Sequence, residues 1–171
     1  RRFFTLSNLT FSSASIELFD DICTLYREVT AHLNSTGIIQ WDDEYPNRDV
    51  LKDDILAGTM YIGTMEGKLT AAYVLNEYSD IEYEEGDLDT GGKSLILHRL
   101  CTHPEFQGMG FGRQSVIDAE NRARAMGCDY LRLDAFEKNP ISLGLYKKMG
   151  YRNAGSVTFR MGKFYLFEKK L

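Results

Sequence analysis

Apolar residues at Ile16, Phe19, Ile22, Tyr26, Val29 and Leu33 recur at helical spacing and predict a helix with one buried stripe over 16–33. A shorter helix is predicted after Pro46, ending near Gly58. Two strand-like runs, Met60–Met65 and Leu69–Leu75, flank Glu66-Gly67-Lys68 and read as a hairpin. The polar segment 77–92 reads as a loop, and the apolar run from Ser94 to Cys101 as a central strand. Phe111 to Met126 reads as a helix stopped by Gly127, and Tyr130 to Ala135 as a strand. Asn139 and Pro140 suit a helix start and Gly150 its stop. Val157–Phe159 and Phe164–Phe167 read as a closing hairpin. No internal repeat or Pro/Ser-rich linker interrupts this order, so residues 1–171 are expected to form a single α+β domain around one mixed sheet.

Composition narrows the function class. The 43% hydrophobic content is that of a globular chain, and the net charge of −5 argues against a nucleic-acid partner. Cys23, Cys101 and Cys128 are odd in number and scattered, which suits neither a disulfide framework nor a zinc site. With no apolar run near the roughly 20 residues a membrane span needs, the expectation is a cytoplasmic protein without metal or membrane partner.

The strongest chemical signal is Gln107-Gly108-Met109-Gly110-Phe111-Gly112-Arg113, which leaves a strand and opens a helix. Glycines let backbone N–H groups approach an anion, and a helix N-terminus adds positive potential, so a phosphate or diphosphate suits the loop. It is not a P-loop, because Gly112 is followed by Arg113 and Gln114. It is not a dinucleotide fingerprint either, because the third glycine of GxGxxG falls on Arg113. A tight turn with no ligand is the alternative for the glycine run alone.

Gln107-x-x-Gly110-x-Gly112 resembles the acyl-CoA pyrophosphate loop of the GNAT superfamily of N-acetyltransferases. Downstream, Asn139 and Leu145-Tyr146-Lys147-Lys148-Met149-Gly150-Tyr151 resemble that family's later motif, in the expected order and separation. The resemblance implies a GNAT-like fold: a twisted, mostly antiparallel mixed sheet of six to seven strands with about four helices. It assigns cofactor motifs to 95–151 and acceptor-side elements to about 16–92. It also implies acetyl-CoA as co-substrate and direct transfer to a small-molecule or peptide amine, with a homodimer as one possible assembly. A non-catalytic acyl-CoA sensor is the alternative.

On this resemblance, Gln107 to Arg113 would hold the diphosphate, and the backbone of Leu100, Cys101 and Thr102 the pantetheine arm. Tyr146 would protonate the departing thiolate, a role that suits a phenol with a pKa near 10. Asn139 would contact the pantetheine arm, or simply cap its helix. His98 is the candidate base; a partly buried structural histidine is the alternative. Arg99, by strand alternation, would face away from His98 and pair with an acid such as Asp134. His103 reads as a surface loop residue and Cys101 as a small buried side chain. Trp41, Tyr45, Tyr73 and Asn76 are the candidate acceptor-side residues, suited to a cationic amine through aromatic contacts. Ordinary core packing is the competing account of each.

Overall fold

The computed structural model describes residues 8–79, 83, 86–89 and 91–171. Seven strands form one sheet: β1 (Thr10–Ser13), β2 (Met60–Met65), β3 (Lys68–Asn76), β4 (Ser94–Thr102), β5 (Tyr130–Phe136), β6 (Arg152–Phe159) and β7 (Gly162–Lys170). Their spatial order is β1-β2-β3-β4-β5-β7-β6. Every neighbouring pair is antiparallel except β4–β5. Four helices flank the sheet: α1 (Phe19–Ser35), α2 (Arg48–Leu56), α3 (Phe111–Ala125) and α4 (Pro140–Lys148). The parallel β4–β5 pair needs a crossover, and α3 supplies it.

Alternation along the strands divides the core into layers. Tyr73, Leu75, Leu95, Leu97, Leu131 and Leu133 face the side that holds Val116 and Ala119 of α3 and Tyr146 of α4. Ile62, Ala72, Val74 and Cys101 face the other side, with Ile22, Tyr26 and Val29 of α1 and Leu51 and Ile55 of α2. The apolar stripe read in the sequence is therefore the face α1 buries. Its first residues differ from the reading: Ile16–Leu18 form a 3-10 turn capped by Ser15, and α1 proper begins at Phe19. Asn47 caps α2, its side-chain oxygen accepting from the Val50 N–H at 2.9 Å. The acidic segment after β3 touches the sheet where it is described: Tyr83 donates to Asp134 at 2.5 Å, and the Tyr130 hydroxyl donates to Asp89 at 2.5 Å. Asp80, Glu82, Glu84 and Glu85 lie outside the described residues.

Two irregularities in β4 shape the site. β4 pairs with β5 only from Ser94↔Tyr130 to Leu97↔Leu133, although β4 continues to Thr102 and β5 to Phe136. Beyond Leu97 the two strands diverge, and one edge of β4 is left without a strand partner. On its other edge β4 stays paired with β3, but the register shifts between Ala72↔Cys101 and Val74↔His98. The extra residue is a β-bulge, and Arg99 within it has φ +49°.

Candidate active site

The glycine loop sits beside the divergence. After a short 3-10 turn at Pro104–Phe106, the chain enters α3 through Gly110, which has φ +81°; Gly108 has φ +78°. A side chain in that left-handed region is strained, so both positions call for glycine. A Cβ at either would meet no atom within 4 Å, so the space before the loop is open. The first turn of α3 carries no side-chain cap and no carboxylate. A 15-residue helix thus offers its N-terminal N–H groups to that space without an internal anion to neutralise them. Phe111 turns its ring into the core with Leu9 and Ala71, so its contribution to a ligand is its backbone. Gln107, Met109 and Arg113 surround the loop, all three exposed. An open strand edge beside an uncapped helix start fits an extended chain ending in a diphosphate, the shape of acyl-CoA.

Tyr146 lies on α4, 6% exposed, its ring against Tyr151 at 5.8 Å and Phe167 at 5.9 Å between centroids. Burial, reinforced by the negative charge of Asp134, holds its phenol above the usual tyrosine value. It is therefore a protonated donor throughout the physiological range. Asn139 is buried at the start of α4: its carbonyl oxygen accepts from the Ser142 N–H at 3.2 Å, and its amide donates to Gln40 at 2.9 Å. Leu100 packs toward the α3 side, Cys101 is buried toward α1, and Thr102 is half-buried at the end of β4.

His98 is half-buried, its Nε2 2.8 Å from the Asn76 side-chain oxygen and 3.0 Å from the Tyr78 carbonyl. Both partners are acceptors, so the proton resides on Nε2 and Nδ1 carries the lone pair. Burial, with the neighbouring Arg99 charge, lowers its pKa from 6.5 to about 4. The ring is neutral at pH 7, and it is a weaker base than a free imidazole. Asn76, read in the sequence as facing the acceptor, here acts on His98.

Arg99 corrects the alternation argument. The bulge brings it to the side of His98, where α2 packs, and its guanidinium donates twice to Asp54 at 2.7 and 2.9 Å and once to the Tyr45 hydroxyl at 2.7 Å. Both partners of the ion pair are nearly buried. A residue at φ +49° no longer obeys strand alternation, and the guanidinium turns toward α2 to meet Asp54, not the expected Asp134, which accepts from Tyr83. The Tyr26 hydroxyl of α1 donates to the Arg99 carbonyl at 2.6 Å, so helices hold the bulge from both ends of the residue. No sequence signal marks this cluster, because the bulged residue is not a glycine.

Two acceptor-side expectations move into the core. Tyr73 is 0% exposed on the opposite face from His98, and its hydroxyl donates to Asp118 of α3. Alternation places it there once Asn76 faces His98. Trp41 is 7% exposed and packs on Tyr26 at 5.7 Å between ring centroids. His103 is not idle: its Nε2 lies 2.6 Å from Glu28, and its Nδ1 accepts from the Glu105 N–H. Cys23, Cys101 and Cys128 are all buried, and burial pushes the Cys101 thiol up to about 12, which excludes it as a resting thiolate nucleophile.

Residues 20–151 match the model of the Acetyltransferase (GNAT) family. The chain belongs to this family. It therefore carries an acetyltransferase domain with acetyl-CoA as co-substrate. Among relatives, the Uncharacterized N-acetyltransferase YvbK of Bacillus subtilis (strain 168) is 25% identical over a stretch spanning 63% of this chain and 61% of that protein. A GNAT-family acetyltransferase from Streptococcus agalactiae 2603 superposes with a TM-score of 0.82 at 26% identity, over 95% of each chain. A paia N-acetyltransferase from Thermoplasma acidophilum, solved in complex with coenzyme A, superposes with a TM-score of 0.74 at 18% identity, over 95% of this chain and 99% of that one. The seven-stranded sheet with four flanking helices is the GNAT fold. Among the described residues no helix is long and apolar enough to cross a membrane.

Proposed function

We propose that this chain moves the acetyl group of acetyl-CoA to a primary amine by direct transfer in a ternary complex. The observation that carries the reading is the divergence of β4 from β5 after Leu97↔Leu133, next to a helix start free of caps and carboxylates. Acetyl-CoA supplies an activated thioester; the chain supplies place, polarity and protons. The open edge of β4 from His98 to Thr102 aligns the pantetheine arm and offers an N–H to the developing oxyanion, a donor of the kind worth about 2.7–4 kcal/mol of barrier. The loop from Gln107 to Arg113 holds the diphosphate.

Tyr146 gives its proton to the departing sulfur. Its raised pKa keeps the phenol protonated until that demand arises. His98 takes a different part from that of a strong base. An acceptor whose pKa sits near 4 is poorly matched to an alkylammonium of pKa about 10.4. Its locked Nδ1 lone pair instead suits it to orient the amine or an ordered water, through which the proton leaves. Acetyl-CoA turnover against a panel of polyamines, arylalkylamines, amino acids and peptides tests the reading by thiol release. Turnover is expected with at least one class. Tyr146→Phe should retain acetyl-CoA binding and lose about 10²–10⁴-fold in kcat, the range for general acid catalysis. Full turnover in that variant at every pH would remove Tyr146 from the reaction. Tight acetyl-CoA binding with no turnover of any amine would support the acyl-CoA sensor instead.

A further inference from the structure

The connection between α1 and α2 does not hang free over the site. Residues 40–45 are tied at four points to four different elements. Gln40 accepts from the Asn139 amide at the start of α4. Trp41 is sunk against Tyr26 of α1. Asp42 receives both arms of the Arg160 guanidinium, at 2.8 Å each, from the turn between β6 and β7. Tyr45 accepts from Arg99 in the β4 bulge. The segment is also stiff in itself: Asp42 accepts from the N–H groups of Glu44 and Tyr45 at 3.1 Å, and its own N–H donates to the Tyr45 carbonyl at 3.0 Å.

The tied elements surround the divergent ends of β4 and β5. Asp134 is the first β5 residue past the last β4–β5 pair, and Arg99 the second β4 residue past it. A chain segment joined to β4, to the start of α4 and to the β6–β7 turn spans that mouth. An amine reaching Tyr146 from the Asp134 side must pass beneath it.

We propose that residues 40–45 form a strap, latched by Asp42–Arg160, that closes the acceptor side into a pocket and selects compact primary amines over peptide amines. This rests on the acetyltransfer reading of the site. An extended peptide needs a groove open at both ends, and the latch joins two of the walls such a groove would run between. The carboxylate of Asp134 at the mouth favours an ammonium-bearing substrate. The latch is the outermost tie and the one most open to solvent, with the Arg160 side chain 51% exposed, so it is also the tie that can be released without disturbing the core.

Arg160→Ala is the test, because a half-exposed residue in a hairpin turn can be truncated without unfolding the chain. Two quantities are read. The first is the ratio of kcat/KM for a compact amine, such as phenethylamine or spermidine, to that for a short peptide with a free amino group. The second is amide hydrogen exchange over residues 40–45. The wild-type protein is expected to prefer the compact amine. Arg160→Ala removes the pair with Asp42 and a looser one with Glu44 at 3.5 Å, so it should narrow that preference by about two- to fivefold, the range for releasing exposed ion pairs, and speed exchange in the strap. Raising salt from about 0.1 to about 1 M should narrow it more in the wild type than in the variant. A wild-type protein that turns over the peptide as well as the compact amine overturns the proposal, as does an unchanged ratio in Arg160→Ala. Failure of every amine overturns the acetyltransfer reading itself. Exchange is independent of turnover, and unchanged exchange in the variant rejects the latch on its own.

Discussion

Arg99 provides a test of the bulge in which the sign of the result is informative. Replacing it by alanine or by glycine removes the same contacts: two hydrogen bonds to Asp54 and one to Tyr45. Both variants leave a nearly buried Asp54 without its partner, a loss expected to cost about 3–5 kcal/mol. That cost cancels when the two are compared. The backbone then remains. At φ +49° an alanine carries the left-handed penalty of about 1–2 kcal/mol, which glycine escapes. At an ordinary strand position glycine is instead the worse residue by roughly 0.5–1 kcal/mol. Arg99→Gly should therefore be the more stable of the two by about 1 kcal/mol, or about 2–4 °C in Tm for a chain of this size. Urea denaturation of both variants measures the difference, with the same alanine–glycine pair at Ile96 as the control expected to run the other way. If Arg99→Ala proves equal to or more stable than Arg99→Gly, the left-handed bulge is wrong, and with it the account of how Arg99 departs from strand alternation to meet Asp54.

Gly110→Ala should lower stability by about 1–2 kcal/mol through φ alone, since its Cβ meets nothing, while acetyl-CoA affinity measured by calorimetry falls at least tenfold as the loop rearranges. His98 should make the fold acid-sensitive. Its folded pKa of about 4 lies below the free value of 6.5, so between those pH values the unfolded chain binds the extra proton. Its contribution is intact above pH 6.5 and is lost on acidification, by roughly 3 kcal/mol in all near pH 4. His98→Gln should flatten that part of the stability–pH curve, and an unchanged curve would refute the buried neutral ring.

The elements that local pattern controls were the legible ones. The period of α1, the hairpin around Glu66-Gly67, and the stops at Gly127 and Gly150 each depend on residues within one turn of each other. The path of the glycine loop was legible for the same reason: the glycines that permit its left-handed turns into α3 are clustered. The ties of the α1–α2 connection were not, because they join residues far apart. Gln40 meets Asn139, Asp42 meets Arg160, and Tyr45 meets Arg99, across separations of 99, 118 and 54 residues. Strand alternation failed at Arg99 because a bulge inverts the parity of the residues beyond it, and an arginine gives no warning of a left-handed φ. Tyr73 was misread through the same parity: with Asn76 facing His98, a residue three places earlier must face the opposite layer. β1 escaped notice because Thr10–Ser13 is a four-residue edge strand, only one residue of which is even half-buried.

The burial of all three cysteines has a practical side. Native protein offers a disulfide-exchange reagent no ready thiolate, so the coenzyme released by turnover supplies the fast colour in a thiol assay. A chain that unfolds exposes three thiols at once. The slow background in the same cuvette, recorded before any amine is added, then counts opened molecules, so each rate measurement carries its own gauge of how much of the sample is folded.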